Sequence, residues 1–272
     1  MRDPCRLLVP MFVLATLGFV DSAKAQGRGG GRGPSEAILS RMGNYFVNVT
    51  LPVEQDGQST RERLAASPHV TKARDKRQLC LLYLYDRNAD PKKHDRFQQV
   101  LFANQGVGVA LRLFRCGKLD LGLDDGALAA YGKKAPLFIA FDAKGKRTGE
   151  VSMRGYKTSS GPLLKLLARA ARGHSKLSLP AFSKKYRSFL TQLQVLEGRQ
   201  RTLTQKRARL ADMPGSRGES KRAKLTKEED RLAESEKALF AAEKKLLEQA
   251  RVPARDPNAQ RLGGRSGRGF GR

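Results

Sequence analysis

The sequence predicts an α/β domain followed by an antiparallel pair of long helices. Three observations predict it. Leu79–Tyr85 is a continuous apolar and aromatic run, the pattern of a strand covered on both faces. A polar turn follows, and Pro91 suits the first turn of a helix, with Phe97, Val100 and Leu101 recurring at spacings of three and four. From residue 180 the composition shifts to Lys, Arg, Glu, Gln, Leu and Ala, with leucines in heptad steps on both sides of Pro214-Gly215.

The 272 residues accommodate one domain with accessories or two small domains. Apolar residues make up 39% and cluster in the middle of the chain, so the ends are not expected to be core. The net charge of +27 bears on solubility and on anionic partners rather than on fold. Residues 1–25 read as a signal peptide: Arg2 and Arg6, an apolar run over 7–20, then Ala23-Lys24-Ala25 as a small-x-small cleavage site. The chain is therefore expected to be secreted or periplasmic. No later segment is apolar enough to span a membrane, so no membrane span is expected after cleavage. Residues 26–34 form a flexible Gly/Arg leader.

Within 35–172 the elements follow in order. Ser35 opens a short helix over 36–42, and a strand covers 45–53. Asn48-Val49-Thr50 matches a glycosylation sequon inside that strand. The polar stretch 54–77 holds one helix over 59–66. After the central strand and the Pro91 helix, 107–114 (V-G-V-A-L-R-L-F) reads as a second buried strand. A short helix over 124–131 follows, begun by Asp124 or Asp125. Strands at 137–141 and 148–153 flank an Asp-Ala-Lys-Gly turn. Ser159 or Ser160 caps a last helix to about 171, with Leu163, Leu164, Leu166 and Leu167 as its apolar stripe.

Strand, turn and Pro-led helix in this order resemble the active-site segment of the thioredoxin family, and the likeness covers residues 45–172. In that family the turn carries C-x-x-C. The matching residues here are Ala89, Asp90, Pro91 and Lys92, so the resemblance implies a thioredoxin-like mixed sheet flanked by helices whose active-site turn is vestigial. It also implies that Pro136 stands at the family's cis-proline position, facing that turn.

Residues 173–179 read as a linker and 180–250 as an antiparallel coiled-coil hairpin. Its first arm carries the seam Phe182, Tyr186, Phe189, Leu193, Leu196, Gln200, Leu203, Arg207 and Leu210. Its second arm carries Leu225, Leu232, Leu239 and Leu246. Basic residues dominate the first arm, and Glu228, Glu229, Asp230, Glu234 and Glu236 cluster on the second, which favours pairing between them. A parallel dimer through the second arm is the rival arrangement. Residues 251–272 read as a disordered basic tail.

Chemistry has few candidates. Ala89 and Lys92 cannot exchange a disulfide, which needs a thiolate and a resolving thiol. After signal cleavage Cys80 and Cys116 remain. The proposed strands put them at opposite ends of the sheet, beyond bridging distance. Cys80 reads as core. Cys116 is either inert or a lone thiol with a lowered pKa beside Arg115 and Lys118, at the sheet end facing the turn. His94 and Asp95 read as a solvated helix face. His69, His94 and His174 show no metal-ligand spacing, so no catalytic set, metal or cofactor is expected. The reading is an exported, non-catalytic thioredoxin-like binding or scaffolding protein, which meets a protein partner or itself through 180–250. One alternative is a binder of anionic polymers (envelope polymer or nucleic acid) through basic arms and Gly/Arg tails. A second is a single-cysteine redox protein using Cys116.

Overall fold

A computed structural model describes residues 34–263 except 55, 56, 212 and 214. The signal peptide, most of the leader and the last nine residues of the tail lie outside the described residues. Helix α1 (Glu36–Leu39) starts at Ser35, whose hydroxyl accepts from the Ile38 amide. Then come β1 (Tyr45–Asn48), α2 (Thr60–Ala66), α3 (Pro68–Asp75), β2 (Leu79–Tyr85), α4 (Pro91–Ala103), α5 (Gln105–Leu111) and β3 (Phe114–Asp120). The chain continues through α6 (Asp125–Tyr131), β4 (Leu137–Phe141), β5 (Arg147–Ser152), α7 (Ser160–Ala170), α8 (Leu179–Ala211), α9 (Gly215–Gln249) and β6 (Gln260–Arg261).

The six strands among the described residues form one mixed sheet in the order β5-β4-β2-β3-β1-β6. Strands β1, β2 and β3 are parallel, β4 runs antiparallel to β2, and β5 antiparallel to β4. Alternation along β2 divides the core. Leu79, Leu81 and Tyr83 face α4, α5, α7 and α8, where Phe97, Leu111, Leu167 and Phe182 pack. Cys80, Leu82 and Leu84 face α2, α3 and α6, through Leu64, Val70 and Ala127.

The stretch 107–114 is not a strand. Residues 107–111 form the end of α5, begun by Asn104, whose Oδ1 accepts from the Val107 amide at 3.1 Å. Val107 to Leu111 are all buried, so the segment is apolar all round, and a short apolar run of that kind has no period to separate helix from strand. The neighbouring strand is instead Phe114–Asp120, where Phe114, Cys116 and Leu119 are buried and Arg115, Lys118 and Asp120 are not. Gly117 lies at its centre because a Cβ there would press within 2.5 Å of Val49 and 2.9 Å of His69.

Three further expectations are corrected. A second helix, α3, fills the polar stretch before β2. On α4, Val100 is exposed while His94 takes the buried face with Phe97, Leu101 and Phe102. The tail is placed as far as Gly263: β6 pairs antiparallel with β1, and the Asn44 side chain donates to the Leu262 carbonyl at 2.6 Å. Arg255 lies over the Tyr45 ring at 3.6 Å, and Arg115 pairs with Asp256 at 2.5 Å. The tail expectation missed this because composition does not report a docking surface supplied by residues far away in sequence.

Helices α8 and α9 run antiparallel, with Lys206–Glu228 and Arg207–Glu229 ion pairs at 3.2 and 3.6 Å joining the basic first arm to the acidic second. The arm is not separate from the α/β body. Phe182, Tyr186, Phe189, Leu190 and Leu193 belong to the larger core. The Tyr186 hydroxyl donates to Glu243 Oε1 at 2.9 Å and lies 3.3 Å from the Arg41 carbonyl. Contact between α8 and α1 extends to Glu197, which accepts from the Ser35 hydroxyl at 2.9 Å. Beyond it the seam reduces to residues such as Leu203 and Leu225. Gln200 and Arg207, expected on the seam, are exposed.

Candidate functional site

The candidate site lies at the C-terminal end of β2, where the turn leads into α4. Asp90 caps α4: its carboxylate accepts from the Lys93 amide at 3.0 Å and pairs with Lys93 Nζ at 2.8 Å. Pro91 occupies the first helical turn, where its missing N–H leaves no bond unmade. Ala89, Pro91 and Lys92 are exposed, with Asp90 partly so. The Ala135–Pro136 bond is cis. Leu84 pairs with Leu137, so Pro136 falls at the same sheet end as Tyr85 and the turn, and its carbonyl accepts from the Met153 amide at 2.7 Å.

Beneath the turn is a polar pair, Tyr83 of the buried strand and His94, which was expected on a solvated helix face. The Tyr83 hydroxyl and His94 Nε2 are 2.8 Å apart, and Gln98 Nε2 approaches the same ring nitrogen at 3.0 Å. Tyr85 stacks on the imidazole with centroids 4.8 Å apart and planes within 9°. Tyr156 meets both His94 and Phe97 edge-on. Tyr156 holds φ at 58°, which a bulky residue rarely adopts, and it follows Gly155 in the same left-handed region. Asp95, next to His94, points to solvent, so these two do not act together.

Burial lowers the His94 pKa and raises that of Tyr83. Burial disfavours the charged form of each, and the two share a hydrogen bond inside an aromatic layer. The signal was present in the sequence: L-L-Y-L-Y puts Tyr83 and Tyr85 on one face, and the Pro91 helix puts His94, Phe97, Gln98 and Leu101 on another.

Cys116 is not at the turn. It pairs with Leu81 near the start of β3, at the far end of the sheet, and is buried with its Sγ near the carbonyls of Phe114, Leu111 and Gly43. Burial pushes its thiol pKa up rather than down. Cys80, opposite Arg115 in the next strand, is buried as well, with its pKa also raised. The two cysteines are near neighbours in the sheet, not at its opposite ends. They face opposite layers, which keeps both free.

The histidines are scattered, and among the described residues no group of His, Cys, Asp or Glu has a metal-binding arrangement. His69 Nε2 meets the Arg115 carbonyl at 3.3 Å, and burial lowers its pKa to about 4. No helix among the described residues is long and apolar enough to cross a membrane.

No family model matches the chain, and no curated protein matches it. Among solved structures the chain is similar to Trxlp from Edwardsiella tarda EIB202. The two share 22% identity over 36% of this chain and 88% of that one, with a TM-score of 0.26.

Proposed function

We propose that this chain is a thioredoxin-like binding or scaffolding protein that has no dithiol chemistry. The strand order, the Pro-led helix after the central strand and the cis Ala135–Pro136 bond support the thioredoxin-like reading. The observation that carries the absence of redox work is the pairing of Ala89 and Lys92 at the exposed turn with burial of both described cysteines. A thiol held up in pKa and shielded from solvent attacks no disulfide. Burial of Cys116 likewise removes the support for a single-cysteine redox role. In this reading the protein works outside the cytoplasm, and the distal part of the α8–α9 pair projects about 20 Å past Glu197 as a contact arm. The test is insulin reduction by the purified protein with dithiothreitol. Turnover no faster than the reductant alone is expected, and catalysed turnover refutes the proposal.

A second reading has its own observation. Residues 208–227, beyond the Lys206–Glu228 and Arg207–Glu229 pairs, hold six basic and two acidic side chains. Such a tip suits a polyanion held through counterion release. Binding to heparin-agarose should then fall steeply with salt and weaken when Arg209, Arg217, Lys224 and Lys227 are replaced by Gln. Retention unaffected by either change dismisses it.

A further inference from the structure

A cleft of about 560 Å³ opens where α1, the end of α5, α9 and the returning tail meet. It is broad and open to solvent rather than enclosed. Its lining holds Arg41, Arg112, Lys244, Arg251 and Arg255 together with Phe240, Leu247 and Val252, and the Arg41 guanidinium lies 5.1 Å from the Phe240 ring centroid. The acidic residues of the cleft are Glu243 and Glu248. Glu243 is engaged by Arg41 at 3.2 Å and by the Tyr186 hydroxyl, and Glu248 is exposed.

The remaining cations are not spent on carboxylates. Among the described residues none of Arg112, Lys244, Arg251 and Arg255 has a carboxylate within ion-pair distance. Arg251 donates to the His174 carbonyl, and Arg255 donates to the Ser40 and Met42 carbonyls with its guanidinium over Tyr45. Among the described residues the fully buried Arg112 Nε has no hydrogen-bond partner. Buried N–H groups without an acceptor are rare because each carries an uncompensated desolvation cost. Burial depresses the Arg255 pKa, and the charge of Arg112 adds to it.

We propose that the cleft binds a small phosphorylated molecule, its phosphoryl group held by Arg112, Arg255 and Lys244 and its organic part against Phe240, Leu247 and Val252. Several cations around few acids match a dianion better than a single carboxylate. Guanidinium forks also fit phosphoryl oxygens two at a time. The inference is independent of whether the β2–α4 turn has any chemistry.

The test is calorimetric titration of the full chain with phenyl phosphate, and with benzoate for comparison. Saturable one-to-one binding of phenyl phosphate, weaker for benzoate, is expected. Arg112→Gln should weaken it by about tenfold or more, the scale of a lost charged hydrogen bond. Lys244→Gln, at an exposed position where folding is not at stake, should weaken it severalfold. A Lys144→Gln chain, altered at an exposed position in the turn between β4 and β5, should bind like the parent. Absence of saturable binding, equal affinity for benzoate, unchanged affinity in both Arg112→Gln and Lys244→Gln, or equal loss in the Lys144→Gln control overturns the proposal.

Discussion

The Tyr83 hydroxyl and His94 Nε2 meet at 2.8 Å inside the core, with the Tyr85 ring stacked on the imidazole. The bond joins the central strand to the first turns of α4. Tyr83→Phe keeps the ring and removes the hydroxyl, leaving a buried nitrogen with one partner fewer. A stability loss of about 1–2 kcal/mol is expected in urea unfolding, with the m-value unchanged.

His69 makes stability depend on pH. Its pKa is lowered from 6.5 to about 4, so between those values the unfolded chain binds a proton that the folded chain refuses. Its contribution is present above about pH 6.5 and lost as pH falls towards 4. The lowered pKa values of His94 and His174 act in the same direction. His69→Gln should flatten the slope of unfolding free energy against pH in this window, measured by urea midpoints at constant ionic strength.

Arg63 is buried, and its guanidinium bonds the Pro52 carbonyl at 3.0 and 3.1 Å and Asp124 Oδ2 at 2.5 Å. Asp124 also caps α6 through the Ala127 amide. Arg63→Met strips the partner from a half-buried carboxylate that holds two elements together. A loss of about 3 kcal/mol is expected by denaturant unfolding, within the range for breaking a buried pair. Arg63→Lys should recover only part of it, because one ammonium cannot reach carbonyl and carboxylate as a fork does.

If the turn is a thioredoxin-like active site emptied of sulfur, Ala89→Cys/Lys92→Cys should restore a reducible pair. The double variant is expected to form an internal disulfide, seen by mass after alkylation, and to accelerate insulin reduction. Failure of the pair to bridge would contradict that placement.

The returning tail supplies β6, the Asn44–Leu262 bonds and the Arg115–Asp256 pair. Ending the chain at Pro253 should speed amide exchange in β1 and lower the unfolding midpoint. Asp256→Ala, which leaves Arg115 with only 10% of its side chain exposed and no carboxylate, should account for much of the change.

Local residues were enough for much of this. The all-apolar run of β2, Asp90 and Pro91 at the start of α4, the turn before β5 and the long helices around Pro214-Gly215 are near-neighbour effects, readable from adjacent side chains. Tertiary structure decided the rest. Whether 105–111 coils or extends depended on being enclosed by α4, α7 and α8, since a fully buried segment shows no period. The burial of His94 depended on Tyr83 waiting beneath α4. The tail became a strand because β1 offered an open edge, and the arginines of 41, 112 and 255 form one cleft only when four distant segments converge. Sequence pattern determined which stretches hide apolar surface. Only the fold decided what each one hides against, because burial energy depends on area and not on the identity of the partner.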